Sequence, residues 1–92
     1  MSTTERVAKI RQVLTARLAP VSLEIHDYSA RHAGHAGARE GGHFSVVVVS
    51  DQFAGRTRMQ RHQLVYAALA DLMRTDIHAL SIQARAPQEW IR

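Results

Sequence analysis

The 92-residue chain contains no cysteine, only two prolines, and few aromatic side chains, with two Phe, two Tyr and one Trp. Without thiols the chain cannot form disulfides, attack as a thiolate, or hold an iron–sulfur centre or cysteine-ligated metal by itself. Few aromatics leave no evident stacking surface for bases. Long apolar runs are missing too: FSVVVV at 44 to 49 is far too short to cross a bilayer, and MSTTERVAKI lacks the apolar core of a signal peptide. Cytoplasmic residence is the expectation. Catalytic signatures are equally scarce. Ser29, Ser45, Ser50 and Ser81 lie in no glycine-framed nucleophile elbow. The carboxylates show no acid/base pairing by position, and GHAGAREGG lacks the Lys-Ser/Thr ending of a phosphate-binding loop. An enzyme is not expected.

With 46% hydrophobic residues over this length, the chain suits one domain, residues 1–92, around a single modest core. Twelve Lys+Arg against eight Asp+Glu give a formal charge of +4, which favours acidic partners without choosing between nucleic acid and protein. The arginines are scattered, with no dense basic run.

Periodicity supplies the elements. From Thr4 to Leu18, the residues Val7, Ile10, Val13, Leu14 and Leu18 fall on one helical face, and Ala19-Pro20 closes the helix. VSLEIHDY alternates as a half-buried strand with Val21, Leu23 and Ile25 on one side. HFSVVVVS, 43 to 50, is β-branched enough for a second strand with both faces partly covered. SDQFAGRTRM reads as a connector with a tight turn at Gly55, and Thr57 and Thr4 are candidate helix caps. A helix over 59 to 74 carries the stripe Val65, Ala68, Leu69, Leu72 and Met73. HALSIQARA is a third strand with His78, Leu80, Ile82 and Ala84 on one side, and Pro87 starts a short last turn. The order α-β-β-α-β-α predicts an α/β (α+β) domain, a three-stranded sheet covered by helices.

Six histidines are the conspicuous surplus, and three of them, His32, His35 and His43, fall in the glycine- and alanine-rich stretch RHAGHAGAREGGHF at 31 to 44. His32 and His35 are spaced for a metal pair, but an exposed polar loop with histidines by chance fits as well. His78, at the mouth of a strand, is either a core-edge imidazole satisfied by a carbonyl or a ligand aimed at the surface. His43 suits a loop-closing hydrogen bond, and His62, four before Tyr66, a packed helical contact. His32, His35 and His78 together would supply three of the four ligands a structural zinc site normally needs.

The segments DYSARHAGHAG at 27 to 37, GGHFSVVVVSDQFAG at 41 to 55, RHQLVY at 61 to 66 and HALSIQARAPQEW at 78 to 90 together resemble the BolA family. The resemblance implies a three-stranded mixed sheet with helices on one side, similar to a class II KH fold. It also implies a non-enzymatic factor in iron–sulfur cluster assembly, trafficking or iron signalling. Such a factor pairs 1:1 with a monothiol glutaredoxin and shares a [2Fe–2S] cluster with it and its bound glutathione. The family's cluster-binding histidine falls on His78, and its loop ligand on His32 when Ser29 is matched to the motif; His35 is an extra candidate. Two imidazoles would then cap one iron while the partner's cysteine and glutathione supply the sulfur donors. Alone, such a chain is a monomer or weak homodimer. Gln63 departs from the arginine many members carry there. Some bacterial members are described as DNA-binding regulators, and under that alternative Arg56, Arg58, Arg61 and Arg85 would contact phosphates. FAGRTR at 53 to 58 nevertheless lacks the GxxG clamp of a KH module.

Overall fold

The computed structural model describes residues 3–28 and 42–90. Helix α1 spans Thr3–Leu18, strand β1 Ser22–Asp27 and strand β2 Gly42–Val49. A 3₁₀ turn at Asp51–Phe53 leads to α2, Arg58–Ala68, and α3, Ala70–Thr75. Strand β3, Ile77–Arg85, and a 3₁₀ turn at Pro87–Glu89 complete the described chain. The sheet order is β1-β2-β3, with β1 antiparallel and β3 parallel to the central β2. The mixed three-stranded sheet flanked by helices is the expected α/β arrangement.

Alternation decides which side chains meet the helices. Val46 lies opposite Ile25 on β1 and Ile82 on β3, and Phe44 lies opposite Asp27 and Leu80. On that face Phe44, Val46 and Val48 are buried and join Ile10, Leu14 and Leu18 of α1 with Val65 of α2 and Leu69 just beyond it. The other face carries exposed Glu24, His26, Ser81 and Gln83, yet Val47 is half-buried and Val49 fully buried there, so the valine run does read as two-sided.

The helix expected over 59 to 74 is divided at Leu69, whose φ/ψ of −97°/11° departs from α geometry. Its N–H still reaches the Val65 carbonyl at 3.0 Å, and the Met73 N–H reaches the Leu69 carbonyl at 2.9 Å, so the two pieces share one ladder. Thr57 caps α2 as expected, its hydroxyl accepting from the Gln60 N–H while the Gln60 side chain accepts from the Thr57 N–H. Thr4, by contrast, already lies inside α1 and does not cap it. Gly55 takes the expected turn conformation, with φ 73°.

Two features were not legible from periodicity. Within the supposed connector, the turn at Asp51–Phe53 delivers Phe53 into the core, fully buried. Buried Ser50 anchors that turn: its hydroxyl donates to the Leu18 carbonyl at 2.6 Å and accepts from the Gln52 N–H at 3.2 Å. The second feature ends α1. Ala19 adopts φ 43°, the left-handed conformation that glycine usually fills after a helix, with its N–H on the Thr15 carbonyl at 3.2 Å. The following proline drives it out of the helix, but into the left-handed region.

Opposite effects should follow from changing these two residues. Ser50→Ala strips the buried Leu18 carbonyl of its donor and should cost about 1–3 kcal/mol. Ala19→Gly relieves a strained φ and should gain a few tenths to about 1 kcal/mol. Urea unfolding of both variants beside the wild type measures each; a stabilised Ser50→Ala protein would contradict the anchoring role.

Candidate functional site

Three chain segments converge at one end of the sheet. Asp27 of β1 lies beside Phe44 of β2, which lies beside Leu80 of β3. One residue further out, the Tyr28 N–H donates to the His43 carbonyl at 2.7 Å, and His43 pairs with Ala79. Beyond that, Gly42 pairs with Ile77, and its N–H reaches the Asp76 carbonyl at 2.9 Å. Tyr28 and Gly42 are the two stems of the glycine- and alanine-rich segment, so both stand at the end of the sheet where β3 begins.

His78 sits in an irregularity at that end. Gly42 pairs with Ile77 but His43 with Ala79, so one step along β2 spans two along β3, and His78 is the extra residue. The bulge changes the parity. Ile77, 2% exposed, faces the core, and after the extra residue Leu80, Ile82 and Ala84 resume the core-facing set. His78 therefore does not continue the inward row on which its spacing placed it. Its side chain is exposed, which resolves the choice between a core-edge imidazole and a surface group in favour of the surface. His32 and His35, the loop candidates, lie outside the described residues.

The start of β3 is braced from behind. Asp76, 6% exposed, receives the Lys9 ammonium of α1 at 3.2 Å, and its own N–H closes α3 on the Leu72 carbonyl at 2.7 Å. Burial pushes the Asp76 carboxyl up, but hydrogen bonds from Thr75 and Lys9 and the charges of Lys9 and Arg6 outweigh it and hold the group below the ordinary carboxylate range. One residue thus joins α1, α3 and the first residues of β2 and β3, two positions before His78. Lys9 and Asp76 are 67 residues apart, so no local spacing announces them.

Elsewhere, His43 is half-buried at the loop stem, in keeping with a structural role. Tyr66 does not need His62 as its polar contact; its hydroxyl lies 3.5 Å from the Leu80 carbonyl. No group of three or more His, Asp or Glu side chains among the described residues is arranged to hold a metal ion.

The four arginines considered for phosphate contacts divide. Arg61 forms a two-pronged pair with Glu89, at 2.5 and 3.1 Å, and also donates to the Arg56 and Ala84 carbonyls. Its side chain is 13% exposed, so it acts as a clamp between α2 and the last turn. Arg56 donates to the Gln52 carbonyl at 2.8 Å. Arg58 and Arg85 are exposed beside an open groove of about 540 Å³ between α2 and the far end of β3.

A family model described as BolA-like protein matches residues 14–89. SufE-like protein 1 of Arabidopsis thaliana, chloroplastic/mitochondrial, is 42% identical over 90 residues, 91% of this chain and 24% of that protein. The DNA-binding transcriptional regulator BolA of Escherichia coli (strain K12) is 40% identical over 82 residues, 89% of this chain and 76% of that protein. Among solved structures, the BolA domain of SufE1 from Arabidopsis thaliana superposes with a TM-score of 0.82 at 42% identity, covering 98% of this chain and 99% of that one. The chain spans 24% and 59% of the lengths of two curated relatives that it matches.

The Arg61 clamp has a pH signature. The Arg61 hydrogen bond, with a second from the Ala86 N–H, lowers the Glu89 carboxyl from 4.5 to about 2. A carboxylate with a depressed folded pKa contributes stability that is full above its unfolded value and is lost as pH falls through the folded one. Wild type should therefore exceed Glu89→Gln in urea midpoint above pH 4.5, with the gap closing toward pH 2. A gap unchanged across that window would show that Glu89 is not held by charge.

Proposed function

The chain belongs to the BolA-like protein family, and from that premise we propose that it is a non-catalytic partner of a monothiol glutaredoxin in iron–sulfur cluster assembly, trafficking or signalling, contributing imidazole ligands to a shared [2Fe–2S] cluster. The observation that carries this reading is the meeting of both loop stems, Tyr28 and Gly42, with the bulged, exposed His78 at one end of the sheet.

The donor set suits half a site. A [2Fe–2S] cluster takes four protein-side ligands, usually thiolates, with histidine replacing cysteine in some centres. This chain has no cysteine, and among the described residues no metal-holding cluster. His78 offers one accessible imidazole on a braced strand, and His32, with His35 as the second candidate, would offer another from a segment anchored beside it. The partner's cysteine and bound glutathione would supply the sulfur donors. Asp76 and Lys9 position His78 by fixing the strand from which it projects, while His78 itself remains open to a second protein.

A DNA-binding role is the second reading. The Escherichia coli relative is named a DNA-binding transcriptional regulator, and Arg58 and Arg85 flank an open groove. Arg61 and Arg56 are engaged within the fold, which leaves fewer cations for phosphates than the composition suggests. Binding of that kind would weaken steeply with salt.

Anaerobic reconstitution with a monothiol glutaredoxin and glutathione tests the first reading. Wild type should give a 1:1 complex carrying two irons and two labile sulfides, with nitrogen hyperfine couplings. His78→Ala should lose the histidine-ligated signature, and His32→Ala should damage it more than His35→Ala. Identical spectra for wild type and His78→Ala would sink the proposal. Tight, sequence-selective DNA binding by the lone protein would favour the second reading.

A further inference from the structure

The far end of β3 presents a different surface. Among the described residues strand β3 is an edge strand, paired only with β2. The Arg85 carbonyl accepts from the Ser50 N–H at 3.0 Å, so Arg85 turns its backbone groups toward β2. Alternation then turns those of Leu80, Ile82 and Ala84 to the open side. Two of the three outward carbonyls are met by α2 side chains: Tyr66 lies on Leu80 at 3.5 Å and Arg61 donates to Ala84 at 3.2 Å. Ile82, between them, has no such side chain on its outward N–H or C=O among the described residues.

The same residue lies in the groove between α2 and β3. Arg58, Arg61, Arg85 and Glu89 also line it, three cations to one carboxylate, and Arg61 engages that carboxylate. Arg58 and Arg85 are therefore left to set the sign of the groove. Exposed edges are normally blunted, because unpaired strand groups recruit another strand. Here the cover over the outward carbonyls is interrupted at one residue, inside a positive cleft.

We propose that this groove is a docking site for an extended acidic peptide segment of a partner protein, which adds backbone hydrogen bonds to β3 at Ile82 and sets carboxylates against Arg58 and Arg85. Strand addition draws affinity from main-chain bonds and selectivity from alternate side chains, which matches an open backbone position flanked by two exposed arginines, of which Arg85 also donates to the Gln83 side chain at 3.4 Å. The phosphates of a nucleic acid would satisfy the arginines but offer no donor to the outward carbonyl of Ile82, whereas a peptide strand supplies donor and acceptor together. The site lies at the opposite end of β3 from His78 and is independent of the cluster-binding reading.

The test uses a fluorescent peptide of alternating valine and glutamate, the same peptide N-methylated at alternate residues, and a single-stranded oligonucleotide. Anisotropy should show saturable binding of the first peptide. N-methylation, or the double substitution Arg58→Glu with Arg85→Glu, should weaken it at least tenfold, with circular dichroism confirming that the variant folds. The Ile82 amide should exchange at least tenfold more slowly in the complex, and His78→Ala should bind like wild type. Absence of saturable binding, equal affinity for the N-methylated peptide, or displacement by the oligonucleotide at lower concentration than by unlabelled peptide would overturn the proposal.

Discussion

A sheet covered on one face must keep a single parity along each strand, and that constraint organises this molecule. Central strand β2 places Phe44, Val46 and Val48 under α1 and α2, and its neighbours follow, Leu23 and Ile25 on one side and Leu80 and Ile82 on the other. A slip of one residue would exchange core for surface along a whole strand. The bulge at the start of β3 makes such a change once, where the strand has barely begun. It lets Ile77 enter the core while Leu80 and its successors keep theirs, and the residue set outside the pairing is His78.

A bulge bends and weakens a strand end unless something holds it. Asp76 does so from three directions, through Lys9, the Leu72 carbonyl and the Gly42 N–H. The arrangement combines a rigid base with an accessible ring, which is what a ligand completed by another protein requires. The two stems of the glycine- and alanine-rich segment, Tyr28 and Gly42, are brought to the same end of the sheet by strand pairing.

The two ends of β3 have different chemistry. At its start, an exposed imidazole stands on a braced bulge; near its end, Arg58 and Arg85 border a cleft whose third arginine is committed to Glu89. Between His78 and Ala84 the strand rises roughly 20 Å at about 3.3 Å per residue. The two surfaces therefore use different side chains.

Much of the architecture follows from sequence alone. The four-residue spacing of Ile10, Leu14 and Leu18, the alternation of Leu23 and Ile25, and the Thr57–Gln60 capping pair are local signals, each set by the geometry of one element. The family resemblance, carried by motifs such as RHQLVY and HALSIQARAP, singles out His78 without reference to its surroundings. Tertiary structure decided the rest, because it depends on residues far apart in the chain. That His78 leaves the inward row is decided by its register against Gly42 and His43, that Asp76 is braced by its distance from Lys9, and that Arg61 is withdrawn from the surface by Glu89. Periodicity within one strand cannot register a bulge, which exists only as a mismatch between two strands, nor can composition tell a free arginine from one already paired.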